Sequence, residues 1–84
     1  MDAPLSNLEQ QAIEAALKAD WKQALILNQQ ILKKDSKNTD SLNRLARAYF
    51  ELGNFPQAKK YYHQTLKLDP YNQITHKFLK NIST

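Results

Sequence analysis

Arg44 and Arg47 stand three residues apart, and Phe50 follows three later. On a helix, residues at that spacing share a face. Each guanidinium is a planar fork suited to carboxylates. Such a face would recognise an acidic segment rather than transform it. Residues that could transform a substrate are scarce. His63 and His76 are the only histidines, and neither has a carboxylate at metal-ligand spacing. No Ser, His and Asp fall in the pattern of a triad. Gly53 is the only glycine, so no glycine-rich loop can cradle a phosphate. The absence of cysteine removes disulfides, thiol nucleophiles and thiolate metal sites. An enzyme needs a nucleophile or paired carboxylates in a cleft. The expectation is therefore a non-catalytic chain with no cofactor and no metal.

The totals agree with that reading. The 84 residues allow one small domain, 1–84, burying roughly 60–65% of the surface its unfolded chain exposes. A composition of 42% hydrophobic and 24% charged residues belongs to a globular chain rather than a disordered one. Asp2 and Pro4 lie where a signal peptide would want positive charge and then an apolar run, so no export signal is expected. Nothing approaches the apolar length of a membrane span. A cytoplasmic location is expected, and the lack of cysteine fits a reducing compartment. The net charge of +4 mildly favours acidic partners.

The elements that must position the arginines are helices. Leu42, Leu45, Ala46 and Tyr49 recur at three and four residues, as do Ala58, Tyr62, Thr65 and Leu66. Between them lies Leu52-Gly53-Asn54-Phe55-Pro56. Gly53 suits the left-handed end of one helix, and Pro56 the first turn of the next. The same plan occurs earlier, shifted by 34 residues (58 − 24 = 34). Trp21 matches Phe55, Asp20 matches Asn54, Leu8 matches Leu42, Ala12 matches Ala46 and Leu32 matches Leu66. Ser6 and Glu9 have the spacing of a capping box. Gln11 and Asn28 stand where Leu45 and Tyr62 stand in the second copy, so they are expected either to solvate an end or to contact a partner. After Pro70, Asn72 can cap a fifth helix with Ile74, Phe78 and Ile82 on its apolar stripe.

The stretch from Thr39 to Pro70 resembles a tetratricopeptide repeat, the 34-residue helix–turn–helix unit. The family pattern falls at Leu42, Leu45, Ala46, Tyr49, Ala58, Tyr62, Thr65 and Pro70. Ala46 stands where the family usually has Gly, and Thr65 where it usually has Ala. The resemblance implies an all-α fold. It consists of two antiparallel helix pairs, residues 5–38 and 39–72, and a capping helix, 73–82, stacked as a short right-handed solenoid. It also implies that Ala12 with Ala24, and Ala46 with Ala58, mark the closest approach of paired helices.

In this family the first helices of successive repeats line a concave groove. Carried over by position, that groove takes Ser6, Glu9, Gln10, Ile13, Ala16 and Leu17 from the first repeat. The second repeat adds Asp40, Asn43, Arg44, Arg47, Phe50 and Glu51, and the capping helix Ile74, Lys77 and Phe78. The expected partner-binding residues are Ile13, Leu17, Asn43, Arg44, Arg47, Phe50 and Lys77. Asp40–Arg44 and Arg47–Glu51 are also i,i+4 pairs that a helix uses at its surface, so solvated pairs and partner contacts both remain open. Some relatives clamp a C-terminal carboxylate. Here Glu9 and Ile13 replace the first Lys and Asn of that clamp, Asn43 is one residue out of register, and Ile74 and Phe78 replace the last two cations. The expected function is a protein-interaction module taking a peptide or helix with acidic and apolar character. A homodimer is one alternative. Nucleic-acid binding by a basic back face of Lys33, Lys34, Lys37, Lys59 and Lys60 is a remoter one. No small-molecule substrate and no membrane are expected.

Overall fold

The computed structural model describes residues 4–82. Five helices follow in order: α1 Leu5–Leu17, α2 Trp21–Lys34, α3 Thr39–Glu51, α4 Phe55–Leu68 and α5 Gln73–Ile82. They pack as two helical hairpins, α1/α2 and α3/α4, closed by α5, an all-α helical-repeat solenoid. The outline measures 43 × 25 × 17 Å, an elongated array rather than a sphere.

Small side chains set the spacing within each hairpin. Ala12, Ala24, Ala46 and Ala58 are all buried. Larger residues there would force the helices apart. Leu8, Leu27 and Ile31 gather around the first pair, and Ala48 of α3 joins them. Tyr62 and Leu79 pack with the second pair, flanked by Tyr49, Phe50, Leu66, Phe78 and Ile82.

Helix ends repeat as well. Asp20 and Asn54 accept from the backbone N–H groups of Gln23 and Gln57, at 3.3 and 3.4 Å. Asn38 and Asn72 accept from those of Ser41 and Thr75, both at 3.0 Å. Each asparagine also joins its helix to the preceding hairpin. Asn38 Nδ2 donates to Glu9 Oε1 at 3.0 Å, and Asn43 Nδ2 donates to Asn72 Oδ1 at 3.2 Å. Glu9 and Asn43 are equivalent positions one repeat length apart, as are Asn38 and Asn72. Helix α5 therefore docks with the cap and the polar clasp that α3 uses.

The start of α1 differs from the expectation. Pro4, not Ser6, is its N-cap, and no side chain caps it. The carbonyl of Pro4 accepts from Asn7 and Leu8 N–H, and the helix begins at Leu5, so Ser6 lies inside it. Glu9 is drawn to Asn38 rather than back to its own helix end.

Both hairpin turns close in the same way. The Asn54 N–H reaches Tyr49 O at 2.8 Å and the Gly53 N–H reaches Phe50 O at 3.0 Å. The equivalent bonds run from Asp20 to Ala15 and from Ala19 to Ala16. This six-to-one and five-to-two pattern needs a left-handed residue just past the helix. Gly53 supplies it with φ 84°, and Ala19 with φ 57°. A Cβ in that region costs about 1–2 kcal/mol. Replacing Ala19 by Gly relieves the strain, offset in part by the greater freedom of unfolded glycine. Ala19→Gly is expected to stabilise the fold by about 0.5–1 kcal/mol, read as a rise of several degrees in melting temperature. A lower melting temperature would show that the left-handed turn is not held in solution.

Candidate interaction groove

Three first-in-pair helices, α1, α3 and α5, border a groove of about 610 Å³. Ile13 and Leu17 come from α1, Asn43, Arg44 and Arg47 from α3, and Ile74 and Phe78 from α5. Trp21 at the start of α2 and Tyr62 of α4 also line it. The 3.6-residue period explains the set, since Ile13 and Leu17 are four apart, Arg44 and Arg47 three, and Ile74 and Phe78 four.

Arg47 sits at the centre. Its Nε donates to Glu51 Oε1 at 2.8 Å. Its guanidinium carbon lies 5.3 Å from the Trp21 ring centroid and 4.9 Å from that of Phe78. Phe78 in turn stacks on Tyr62 with centroids 5.4 Å apart and an interplanar angle of 9°. A half-exposed cation between two rings gains about 0.5–2 kcal/mol, more than a surface i,i+4 ion pair contributes. Arg47 is thus held in place by packing.

Arg44 is engaged differently. Its guanidinium donates to Asn28 Oδ1 at 3.3 Å rather than pairing with Asp40. Asn28 is 0% exposed, and its Nδ2 donates to Ala24 O at 2.8 Å. Neither expectation for Asn28, end solvation or partner contact, describes it. It occupies the inward position that Tyr62 fills one repeat later, and satisfies its amide by bonding its own helix and Arg44. Gln11, its companion in the sequence comparison, is exposed.

Of the seven residues singled out in the sequence, Ile13, Leu17, Asn43, Arg44 and Arg47 line the groove. Asn43 is occupied by Asn72 and by a hydrogen bond from Thr75 Oγ1. Phe50 is packed edge-on between Phe55 and Phe78, with centroids 5.5 and 5.4 Å away, and is not part of the lining. Lys77 is exposed on α5 outside it. Trp21 was missed as a lining residue because its turn position accounts for it locally.

Tyr62 brings an unusual polar atom to this region. Its hydroxyl is buried and has no hydrogen-bond partner among the described residues. Burial pushes its phenol above the ordinary tyrosine range, while Arg47 acts weakly in the opposite direction.

Other constellations are lacking. Among the described residues no three His, Cys, Asp or Glu side chains gather as metal ligands would. No helix among them is long and apolar enough to cross a membrane.

A helical-hairpin array with a preformed groove belongs to the class of repeat scaffolds. Residues 39–72 match the family model of the tetratricopeptide repeat, which identifies that stretch as such a repeat. Tetratricopeptide repeats generally mediate protein–protein interaction and are generally non-catalytic.

An unpartnered buried hydroxyl costs about 1–3 kcal/mol, so Tyr62→Phe should raise the melting temperature. The raised phenol value also has a pH consequence. The stability tied to its proton is fully present below the unfolded phenol value of about 10 and is lost as pH rises above that. Tyr62→Phe should therefore unfold less steeply than the parent above about pH 10. A variant less stable at neutral pH, with unchanged alkaline behaviour, would mean that the hydroxyl has a partner in solution.

Proposed function

We propose that the chain is a non-catalytic interaction module that holds a segment of another protein in the α1/α3/α5 groove. Residues 5–38 act in it as a first repeat beside the matched one. The observation that carries this reading is the rim of exposed apolar side chains around two arginines. Leu17 is 81% exposed, Ile74 61% and Ile13 42%, and all three line the same groove as Arg44 and Arg47. Exposed apolar side chains clustered around a groove mark interaction surfaces, and arginine is enriched among binding anchors. The fitting segment carries an acidic residue beside a large apolar one. The carboxylate would meet Arg47, whose fork keeps donors beyond the one given to Glu51. The apolar side chain would meet Ile13, Leu17 and Ile74.

Charge reversal at Arg44 or Arg47 is a poor test. The first would leave buried Asn28 without its donor, and the second would break the Trp21–Arg47–Phe78 stack. The exposed apolar rim can be changed with little cost to folding. A panel of fluorescent peptides pairing Asp or Glu with Leu, Ile or Phe serves as the probe, read by anisotropy. Micromolar binding is expected. The triple variant Ile13→Ser, Leu17→Ser, Ile74→Ser should weaken it by about tenfold or more with helicity and melting temperature unchanged. Ile26→Ser, outside the groove, should leave it unaffected. No binding across the panel, or full binding by the triple variant, would overturn the reading. A doubled mass in light scattering that the triple variant abolishes would assign the groove to a second copy of the chain instead.

A further inference from the structure

Charge on this protein is sorted by helix. Helix α2 carries Lys22, Lys33 and Lys34, and α4 carries Lys59, Lys60 and Lys67, with no Asp or Glu on either. Helix α1 carries Glu9 and Glu14 with no Lys or Arg, and α3 balances Asp40 and Glu51 against Arg44 and Arg47. The positive excess of the chain, +4 in all, is concentrated on the second helix of each pair.

Between α2 and α4 runs a second cleft of about 520 Å³. Ile26, Leu32 and Lys33 line it from α2, Tyr61 and Gln64 from α4, and Leu42 from beneath. Ile26 is 50% exposed. Its position between lysines follows from spacing, because Lys22, Ile26 and Lys33 fall on one stripe of α2. Lys60, Gln64 and Lys67 do so on α4. Lys22 and Lys33 are separated by about 16 Å along the helix axis, Lys60 and Lys67 by about 10 Å. The cleft thus combines the apolar Ile26, Leu32 and Tyr61 with Gln29, Gln30 and Gln64; Lys33 lies in its lining, and Lys22, Lys60 and Lys67 continue the same two stripes beyond it.

We propose that this cleft is a second docking surface, and that its occupant is an acidic amphipathic helix of a partner protein. A helix laid between two helices presents an apolar stripe to Ile26, Leu32 and Tyr61. Its carboxylates then meet Lys33 in the lining and Lys60 beside Tyr61, and the positive charge of α2 and α4 raises the rate of encounter. Two observations favour a protein helix over a nucleic acid. Tyr61 is already stacked on Tyr49 with centroids 5.7 Å apart and planes 6° apart, and the Lys60 ammonium lies 5.4 Å from its ring. It offers no bare ring to a base. Neither helix carries arginine, the side chain that grips phosphate bidentately.

The test uses a synthetic helix of about 18 residues with leucine along one stripe and glutamate on both flanks, read by anisotropy. The expected result is binding that falls steeply between about 50 and 200 mM salt, as attraction between exposed charges is screened. Replacing its glutamates by glutamine should weaken binding at least ~10-fold. Lys33→Glu with Lys60→Glu and Lys67→Glu should do the same, as should Ile26→Asp alone. All these side chains except half-exposed Ile26 are fully on the surface, and circular dichroism checks that helicity is kept. Ile13→Ser with Leu17→Ser and Ile74→Ser should bind the helix normally, which separates this surface from the groove. The proposal fails if the glutamate helix does not bind. It also fails if the lysine reversals leave binding unchanged, or if a single-stranded oligonucleotide binds more tightly than the peptide.

Discussion

One guanidinium ties the array together. Arg47 of α3 lies between Trp21, the first residue of α2, and Phe78 of α5, and Phe78 stacks on Tyr62 of α4. Four of the five helices meet in that stack. It links α5 to the second hairpin and the first hairpin to the second. A buried charge in such a place would be costly, but Arg47 keeps part of its side chain in water and gives one N–H to Glu51. The rings hold the planar part of the side chain while its remaining donors stay available. The same contact thus supports the fold and orients a cation in the groove. This is why the arginine cannot be removed to test binding without also loosening the solenoid.

The local grammar of the fold was legible in the sequence. Spacing of 34 residues, small residues at Ala12, Ala24, Ala46 and Ala58, and the Gly53 turn all report short-range constraints that one chain segment satisfies by itself. The cap at Asn72 follows for the same reason. What escaped depends on partners distant in sequence. Trp21, Arg47 and Phe78 are each readable as local features, and nothing in their spacing says that they stack. Asn28 was misjudged because a polar type on the end repeat suggests water. In the fold, Ala24 O and Arg44 satisfy its amide. The capping box at Ser6 lost to Pro4, whose fixed φ suits the helix entry and whose carbonyl already takes the first N–H groups.

The two faces of the array differ in what they can recognise. Helix α3 presents two arginine forks beside the exposed aliphatic side chains of α1 and α5, a surface suited to a shape with a local carboxylate. The second helices present lysine, a strongly hydrated point charge on a flexible stem, suited to net charge rather than to one carboxylate. Of these charges only Lys33 and Lys67 are equivalent one repeat length apart; Arg44 and Arg47 stand where the first repeat has Gln10 and Ile13.

The central claim is that the α1/α3/α5 groove holds a segment of another protein. The most direct measurement is an amide-shift map of the isotope-labelled chain, titrated with the tightest peptide selected from a random displayed library. Shifts clustered on Ile13, Leu17, Arg44, Arg47 and Ile74, with a selected consensus pairing an acidic with a large apolar residue, are the expected result. Shifts confined to α2 and α4, or a consensus with no acidic residue, would contradict it.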